Sequence, residues 1–112
     1  TRPISQYLGT WKKSYVYSEG HIPGAKSFPN ELMNPPGMPA RFLPGDELRQ
    51  LMQAMNIDMD ADTITYCNSG HLASGGWFIM SELLGKKNVR VYDGSMHEWT
   101  LNKLPVHRFD ME

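Results

Sequence analysis

Cys67 is the single cysteine of the sequence, and it lies where a nucleophile could be built. It follows the β-branched run Thr63-Ile64-Thr65-Tyr66, which predicts a short strand, and it precedes an apolar run that predicts a helix. Parallel α/β sheets place their sites at the carboxyl ends of strands. A thiolate at such an end is a nucleophile, so Cys67 is a candidate for covalent catalysis.

A short loop from Asn68 to Leu72 joins this strand to the helix. Gly70 allows the loop to turn back with its backbone N–H groups pointing inward, and the helix adds the positive end of its dipole. Such a cradle lowers the pKa of a thiol. A lone cysteine is also often a small buried hydrophobic residue, and the pattern of the sequence leaves both readings open.

The elements that position Cys67 are predicted from periodicity. Asp46 to Met55 predicts a helix, because Leu48, Leu51, Met52 and Met55 recur at helical spacing and acidic residues begin it. Further elements are a helix from Ala73 to Leu84, a strand from Val89 to Tyr92 and a short helix from Met96 to Leu101. This alternation predicts an α/β fold with a parallel sheet. Gly and Pro cluster earlier, in "SEGHIPGAKSFPN" and "NPPGMPARFLPG".

Length, charge and cysteine count limit the number of domains and the classes of partner that we expect. The 112 residues are 40% hydrophobic, which is enough for one domain. A formal net charge of -1 makes nucleic acid an unexpected partner, and no apolar run is long enough to span a membrane. One cysteine cannot form an internal disulfide or the usual several-cysteine zinc site. We expect a soluble chain, whose compartment stays open between cytoplasm and periplasm.

Three separated motifs, "TYCNSGHLA", "EGHIPGAKSFP" and "VYDGSMHEW", resemble a rhodanese-type sulfurtransferase domain. The resemblance is closest to the catalytic C-terminal domain of tandem rhodaneses. It implies a rhodanese-like parallel sheet with helices on both faces and thiosulfate:cyanide sulfurtransferase chemistry. Cys67 would carry the sulfur, passing it from a small sulfur donor to a thiophilic acceptor, and neither a metal nor an organic cofactor would be required.

The resemblance also implies the substrate-binding residues. They are Asn68, Ser69, Gly70, His71, Leu72, Ala73, Gln6 and Trp99. Relatives adapted to thiosulfate carry cationic side chains where this sequence has Ser69 and Gln6, so Ser69→Lys or Gln6→Arg is expected to improve thiosulfate binding. His71 is a candidate for supplying part of the missing charge, or it only bonds the loop or faces solvent. His21 is expected to fix the turn before a strand from Ala25 to Phe28.

Two departures keep alternatives open. The cations missing at Gln6 and Ser69 allow a non-catalytic binding or sulfur-sensing module. An arsenate reductase or phosphatase of the same fold is disfavoured, because those relatives have a loop one residue longer that ends in arginine.

Relatives also have an apolar strand ahead of the segment that matches Thr1-Arg2-Pro3. Residues 1–112 are therefore expected to form a single rhodanese-like domain that lacks its first strand and belongs to a larger protein, completed by a second rhodanese domain or polypeptide segment.

Overall fold

The computed structural model describes residues 1–33 and 42–110, apart from the side chain of Asn30. Most of the proline-rich stretch noted in the sequence, residues 34–41, lies outside the described residues. The elements in chain order are α1 (Ile4–Leu8), a 3-10 helix (Asn30–Met33), α2 (Gly45–Ala54), β1 (Thr63–Thr65), α3 (His71–Phe78), a π-helical segment (Ile79–Leu83), β2 (Val89–Val91) and α4 (Ser95–Leu101). No helix among the described residues is long and apolar enough to cross a membrane.

Strands β1 and β2 form a parallel sheet, which confirms the predicted α/β class. Thr63 pairs with Val89 and Thr65 with Val91. Helix α3 packs against both strands, on the side where Thr65 and Val89 are buried. On the opposite face of the sheet, Ile64 keeps 55% of its surface exposed, so this face is only loosely covered.

The core lies between α2, the α3 segment and the buried face of the sheet. Leu48 and Met52 of α2 are fully buried, while Leu51 and Met55 are partly buried against the same cluster. The helical stripe predicted from sequence is therefore confirmed. The other buried members of the cluster are Phe28, Met33, Ile79, Met80, Leu84 and Val89.

The helix after the loop differs from its predicted form. It begins at His71 rather than Ala73, and beyond Phe78 it widens into a π-helical segment in which Leu84 N–H donates to Ile79 O at 2.9 Å. It ends before Gly85, whose φ of +72° suits a left-handed helix terminus. Phe78, at the end of this helix, is 40% exposed and stacks on Phe42.

The predicted strand from Ala25 to Phe28 is wrong, since no ladder hydrogen bonds form there. A strand exists only when a neighbour completes its hydrogen bonds, and the edge of β1 that faces this segment is separated from it by a cavity of about 360 Å³. Among the residues that line this cavity are Lys26 and Thr63. The Thr1 backbone nitrogen reaches the same edge and donates to Tyr66 O at 3.0 Å.

Candidate active site

Cys67 lies just beyond the carboxyl end of β1, and only 1% of its surface is exposed. The start of α4 holds its backbone: Cys67 N–H donates to Ser95 Oγ at 3.0 Å, and Cys67 O accepts from Met96 N–H at 3.0 Å. Ser95 Oγ donates in turn to Tyr92 O at 2.8 Å. Sequence reasoning gave Ser95 no role, and the only signal was its place in the turn after β2. The position of Cys67 is thus fixed by both β1 and α4.

Gly70 brings the loop back to the sulfur. Its φ is +94°, and its backbone N–H donates to Cys67 Sγ at 3.0 Å. A Cβ atom at this position would lie 2.6 Å from Asp93 O and 2.8 Å from Asp93 Oδ1. Both the backbone conformation and the close approach of Asp93 therefore require glycine.

The electrostatic balance at Cys67 favours the thiolate. Burial raises the pKa of the Cys67 thiol, but hydrogen bonds from four backbone N–H groups lower it further than burial raises it. These donors belong to Ala73, Ser69, Gly70 and Leu72. The net pKa of the Cys67 thiol lies below its ordinary value, which agrees with the inward-pointing loop N–H groups predicted from the sequence.

Arg2 places a buried positive charge near the same cysteine. Its guanidinium is 4% exposed, donates to Gly20 O and lies 5.9 Å from the centroid of the Tyr66 ring. Burial lowers the pKa of Arg2, and attraction to Tyr66 and Cys67 opposes that change. Sequence reasoning assigned no site role to Arg2, because only the tertiary packing brings it under the strand that ends at Cys67.

Gln6 and Asn68 form a buried pair next to the sulfur loop. Asn68 Nδ2 donates to Gln6 Oε1 at 2.6 Å, and the two residues are 5% and 2% exposed, respectively. Asn68 Oδ1 is buried and has no hydrogen-bond partner among the residues that the structure describes. The structure therefore places two of the predicted binding residues in contact with each other. The Gln6 side chain is buried in this contact and does not face solvent.

The remaining loop residues divide into exposed and buried positions. Ser69 and His71 are exposed, Leu72 is half-buried and Ala73 is buried. Ala73 O accepts a hydrogen bond from Thr65 Oγ1 at 3.0 Å, which ties the first turn of α3 to β1. The side chains open to an incoming molecule on this loop are therefore those of Ser69 and His71.

Trp99 faces a cavity of its own. It lines a cavity of about 700 Å³ on the loosely covered face of the sheet, together with Ile64 and Tyr92. Trp99 Nε1 donates to Pro105 O at 2.8 Å. No residue from 67 to 73 lines that cavity, so Trp99 and the loop do not share it.

His21, which was expected to fix a turn, is packed between distant parts of the chain. Its ring is fully buried and stacks on Tyr7 with 3.8 Å between ring centroids, and Nδ1 lies 2.6 Å from Tyr7 O. Its backbone forms an antiparallel bridge with His107. His21 thus lies in a packed structural cluster.

Chemically, the arrangement is a buried thiolate in a ring of backbone donors. Such a ring can stabilise a negative charge on the cysteine sulfur or on an atom attached to it. A group transferred to Cys67 as an anion would therefore meet preorganised N–H donors. The geometry favours nucleophilic catalysis followed by storage of an anionic adduct.

Solved structures with this fold include two with high similarity. The crystal structure of Tum1 protein from Saccharomyces cerevisiae has a TM-score of 0.80 and 26% identity, over 96% of this chain and 38% of that one. The crystal structure of YnjE has a TM-score of 0.77 and 30% identity, over 96% of this chain and 27% of that one.

Two relatives with similar sequences have names that refer to sulfur chemistry. "Sulfur carrier protein TtuD" of Thermus thermophilus is 42% identical over 81 residues, which are 71% of this chain and 27% of the relative. A Mycolicibacterium smegmatis protein named "Putative thiosulfate sulfurtransferase" is 42% identical over 81 residues, 71% of this chain and 28% of the relative. The chain thus spans little more than a quarter of the length of either relative. The family model for the rhodanese-like domain matches residues 2–102, and the chain therefore belongs to the rhodanese-like domain family.

Proposed function

We propose that this domain transfers a sulfane sulfur by way of a persulfide on Cys67. The observation that carries the proposal is the 3.0 Å hydrogen bond from Gly70 N–H to Cys67 Sγ, inside a loop whose other N–H groups also stabilise the thiolate. The names of the relatives, a sulfur carrier protein and a thiosulfate sulfurtransferase, support the same chemistry.

In the first step, the Cys67 thiolate attacks the outer sulfur of the donor. A new S–S bond forms between Cys67 and that sulfur, while the old S–S bond of the donor breaks and its electron pair leaves with the remaining group. With thiosulfate that group is sulfite, and with a low-molecular-weight persulfide it is a thiolate. The negative charge then rests on the terminal sulfur, where the loop N–H groups can stabilise it.

In the second step, a thiophilic acceptor attacks the terminal sulfur of the persulfide. The acceptor, a thiolate or cyanide, forms a bond to that sulfur, and the Cys67–sulfur bond breaks with its electron pair returning to Cys67. The thiolate is thereby regenerated, and no net oxidation or reduction of the protein occurs. Backbone donors suffice for both steps, so the chemistry tolerates neutral loop side chains.

The charges around the loop favour a donor less charged than thiosulfate. Ser69 is neutral and exposed, and Gln6 is neutral and buried. The Asp93 carboxylate borders the loop at Gly70 and would repel a dianion. We therefore infer that a low-molecular-weight persulfide suits this site better than thiosulfate.

The sulfur-transfer domain is also proposed to work within a larger assembly. The relatives are more than three times as long as the part that this chain matches. Among the described residues no second strand pairs with the edge of β1 that borders a cavity of about 360 Å³, which leaves space for a further polypeptide segment. We infer that such a segment, or a second rhodanese domain, covers this edge.

The alternative function, a sulfur-binding or sulfur-sensing module with negligible turnover, is favoured by one observation. Cys67 is only 1% exposed, which limits access of a bulky donor or acceptor to its sulfur. Phosphatase or arsenate reductase chemistry has less support, because the loop from Cys67 to Leu72 contains no arginine to hold an oxyanion.

The test is thiocyanate production from cyanide, with thiosulfate and with a low-molecular-weight persulfide as donors. We expect multiple turnovers with at least one donor and none with Cys67→Ser, because the chain has no other cysteine. Less than one turnover with every donor would favour the sensing module, and activity retained in Cys67→Ser would refute the proposed nucleophile.

A further inference from the structure

We propose that Gln6 is a positioning residue of the sulfur-transfer site, which holds Asn68 at the start of the active-site loop and does not contact the substrate. This inference rests on the proposed function, since it assigns a role in that same reaction. It replaces the expectation from sequence that Gln6 occupies a substrate-binding position.

Gln6 is buried on a short, well-packed helix. It is the only buried residue of α1, and 2% of its surface is exposed. Helix α1 is itself fixed, because Tyr7 stacks on His21 and Tyr7 OH donates to Ala25 O at 2.8 Å. The Gln6 amide is therefore held on a packed helix and is buried away from solvent.

The Asn68 side chain depends on Gln6 for its hydrogen bonding. Asn68 Nδ2 donates to Gln6 Oε1 at 2.6 Å, whereas Asn68 Oδ1 is buried and has no partner among the described residues. Within residues 1–33 and 42–110, Gln6 is thus the hydrogen-bond partner found for the Asn68 side chain. Without it, both polar atoms of a buried amide would lack partners, and the side chain would gain by turning toward water.

Asn68 lies at the start of the loop that surrounds the cysteine sulfur. Asn68 directly follows Cys67, and its backbone carbonyl accepts from His97 N–H at 2.9 Å. The donors that lower the pKa of Cys67 begin at the next residue, Ser69, and continue through Gly70. The orientation of Asn68 consequently sets the direction in which those first N–H groups point.

The same geometry reverses the expected effect of Gln6→Arg. A guanidinium at this buried position would have no carboxylate within the Gln6–Asn68 contact and could not accept from Asn68 Nδ2. We therefore expect Gln6→Arg to weaken sulfur transfer with every donor and not to improve thiosulfate binding.

The experiment is a double-variant cycle with Gln6→Met and Asn68→Ala, followed by the pH midpoint of Cys67 alkylation with iodoacetamide. This readout needs no sulfur donor, so it stands even if the proposed sulfur transfer fails. The Thr1 amino group and the Arg2 guanidinium both interact with Cys67, and Asp93 borders the loop at Gly70. His71 belongs to the loop, and His97 N–H donates to Asn68 O. None of these charged or titratable groups is changed in the experiment. Gln50→Met, at an exposed position of α2, is the matched control.

Gln6→Met and Asn68→Ala should each raise the midpoint and slow persulfide formation at saturating donor about tenfold, and the double variant should be no worse than either, because one residue acts through the other. Gln50→Met should behave as wild type. Additive effects, or a Gln6→Met protein within twofold of wild type in both readouts, would overturn the proposal. If Gln6→Met does not fold, Asn68→Ala decides alone, and an unchanged midpoint in that variant would also overturn it.

Discussion

The backbone N–H of Gly70 points at the Cys67 sulfur, with 3.0 Å between the nitrogen and Sγ. The contact depends on the left-handed backbone of Gly70, at a φ of +94°, and on the absence of a side chain facing Asp93. It places a preorganised donor on the atom that would carry charge during sulfur transfer. Loop conformation and thiol chemistry are therefore linked through one residue.

The first prediction concerns pH. The alkylation rate of Cys67 should reach half its maximum below pH 9.0, the ordinary pKa of the thiol, because the loop N–H groups outweigh the effect of burial. Since the folded-state pKa is depressed, the thiolate stabilises the fold fully above pH 9.0, and this contribution is lost as the pH falls through the folded-state pKa. The difference in free energy of unfolding between the wild type and Cys67→Ser should therefore increase as the pH rises from the folded-state pKa toward pH 9.0. A midpoint at or above pH 9.0 would show an inert thiol.

Gly70→Ala should damage the site and the fold together. The positive φ alone costs about 1 to 3 kcal/mol for a residue with a side chain, and the new Cβ would also press on Asp93. We expect a lower free energy of unfolding by urea and a higher pH midpoint of Cys67 alkylation. The control is Gly75→Ala in α3, where a Cβ meets nothing within 4 Å, and a gain of about 0.5 to 1 kcal/mol is expected there. Equal behaviour of the two variants would contradict the assigned role of Gly70.

A third prediction separates Ser69 from Gln6 as determinants of donor choice. Ser69 is exposed on the loop, so Ser69→Lys can place an ammonium beside a bound dianion and should lower the apparent KM for thiosulfate about tenfold, equivalent to about 1.4 kcal/mol. The KM for an uncharged or singly charged persulfide donor should change much less. Initial-rate measurements with both donors provide the check, and an equal change for the two would mean that the added charge acts indirectly.

Lys86 links the segment before β1 to the residue before β2. Its ammonium is buried and donates to Met59 O at 2.6 Å, Ala61 O at 2.5 Å and Asn88 Oδ1 at 2.9 Å. Lys86→Met removes these charge-assisted bonds and should lower the free energy of unfolding by about 2 to 3 kcal/mol. The exposed neighbour serves as the control, since Lys87→Met should stay within about 0.5 kcal/mol of wild type. Urea unfolding of both variants makes the comparison, and similar losses would refute the structural role of Lys86.

Local patterns were sufficient to predict the elements around the nucleophile. The helical spacing of Leu48 and Met52 predicted the buried face of α2, and the β-branched run ending before Cys67 predicted β1. Gly70 was predicted to turn the loop inward for the same local reason, since glycine tolerates a positive φ. These features depend on residues close in sequence.

Features that depend on distant residues could not be predicted in this way. The strand from Ala25 to Phe28 was implied by the resemblance, and it would need a neighbour at the β1 edge to complete its hydrogen bonds. Ser95 and Arg2 reach the site from other parts of the chain, and neither has a local pattern that reports that contact. Gln6 was placed near the loop by resemblance, while its burial against Asn68 emerged only from packing.

The central claim, that Cys67 carries sulfur as a persulfide, is tested most directly by intact-protein mass spectrometry after incubation with a low-molecular-weight persulfide or thiosulfate. The account predicts one added sulfur atom per chain, located on the peptide that contains Cys67, removed by cyanide and absent from Cys67→Ser. A folded protein with an accessible thiolate that gains no sulfur from either donor would contradict it, as would sulfur found on Cys67→Ser.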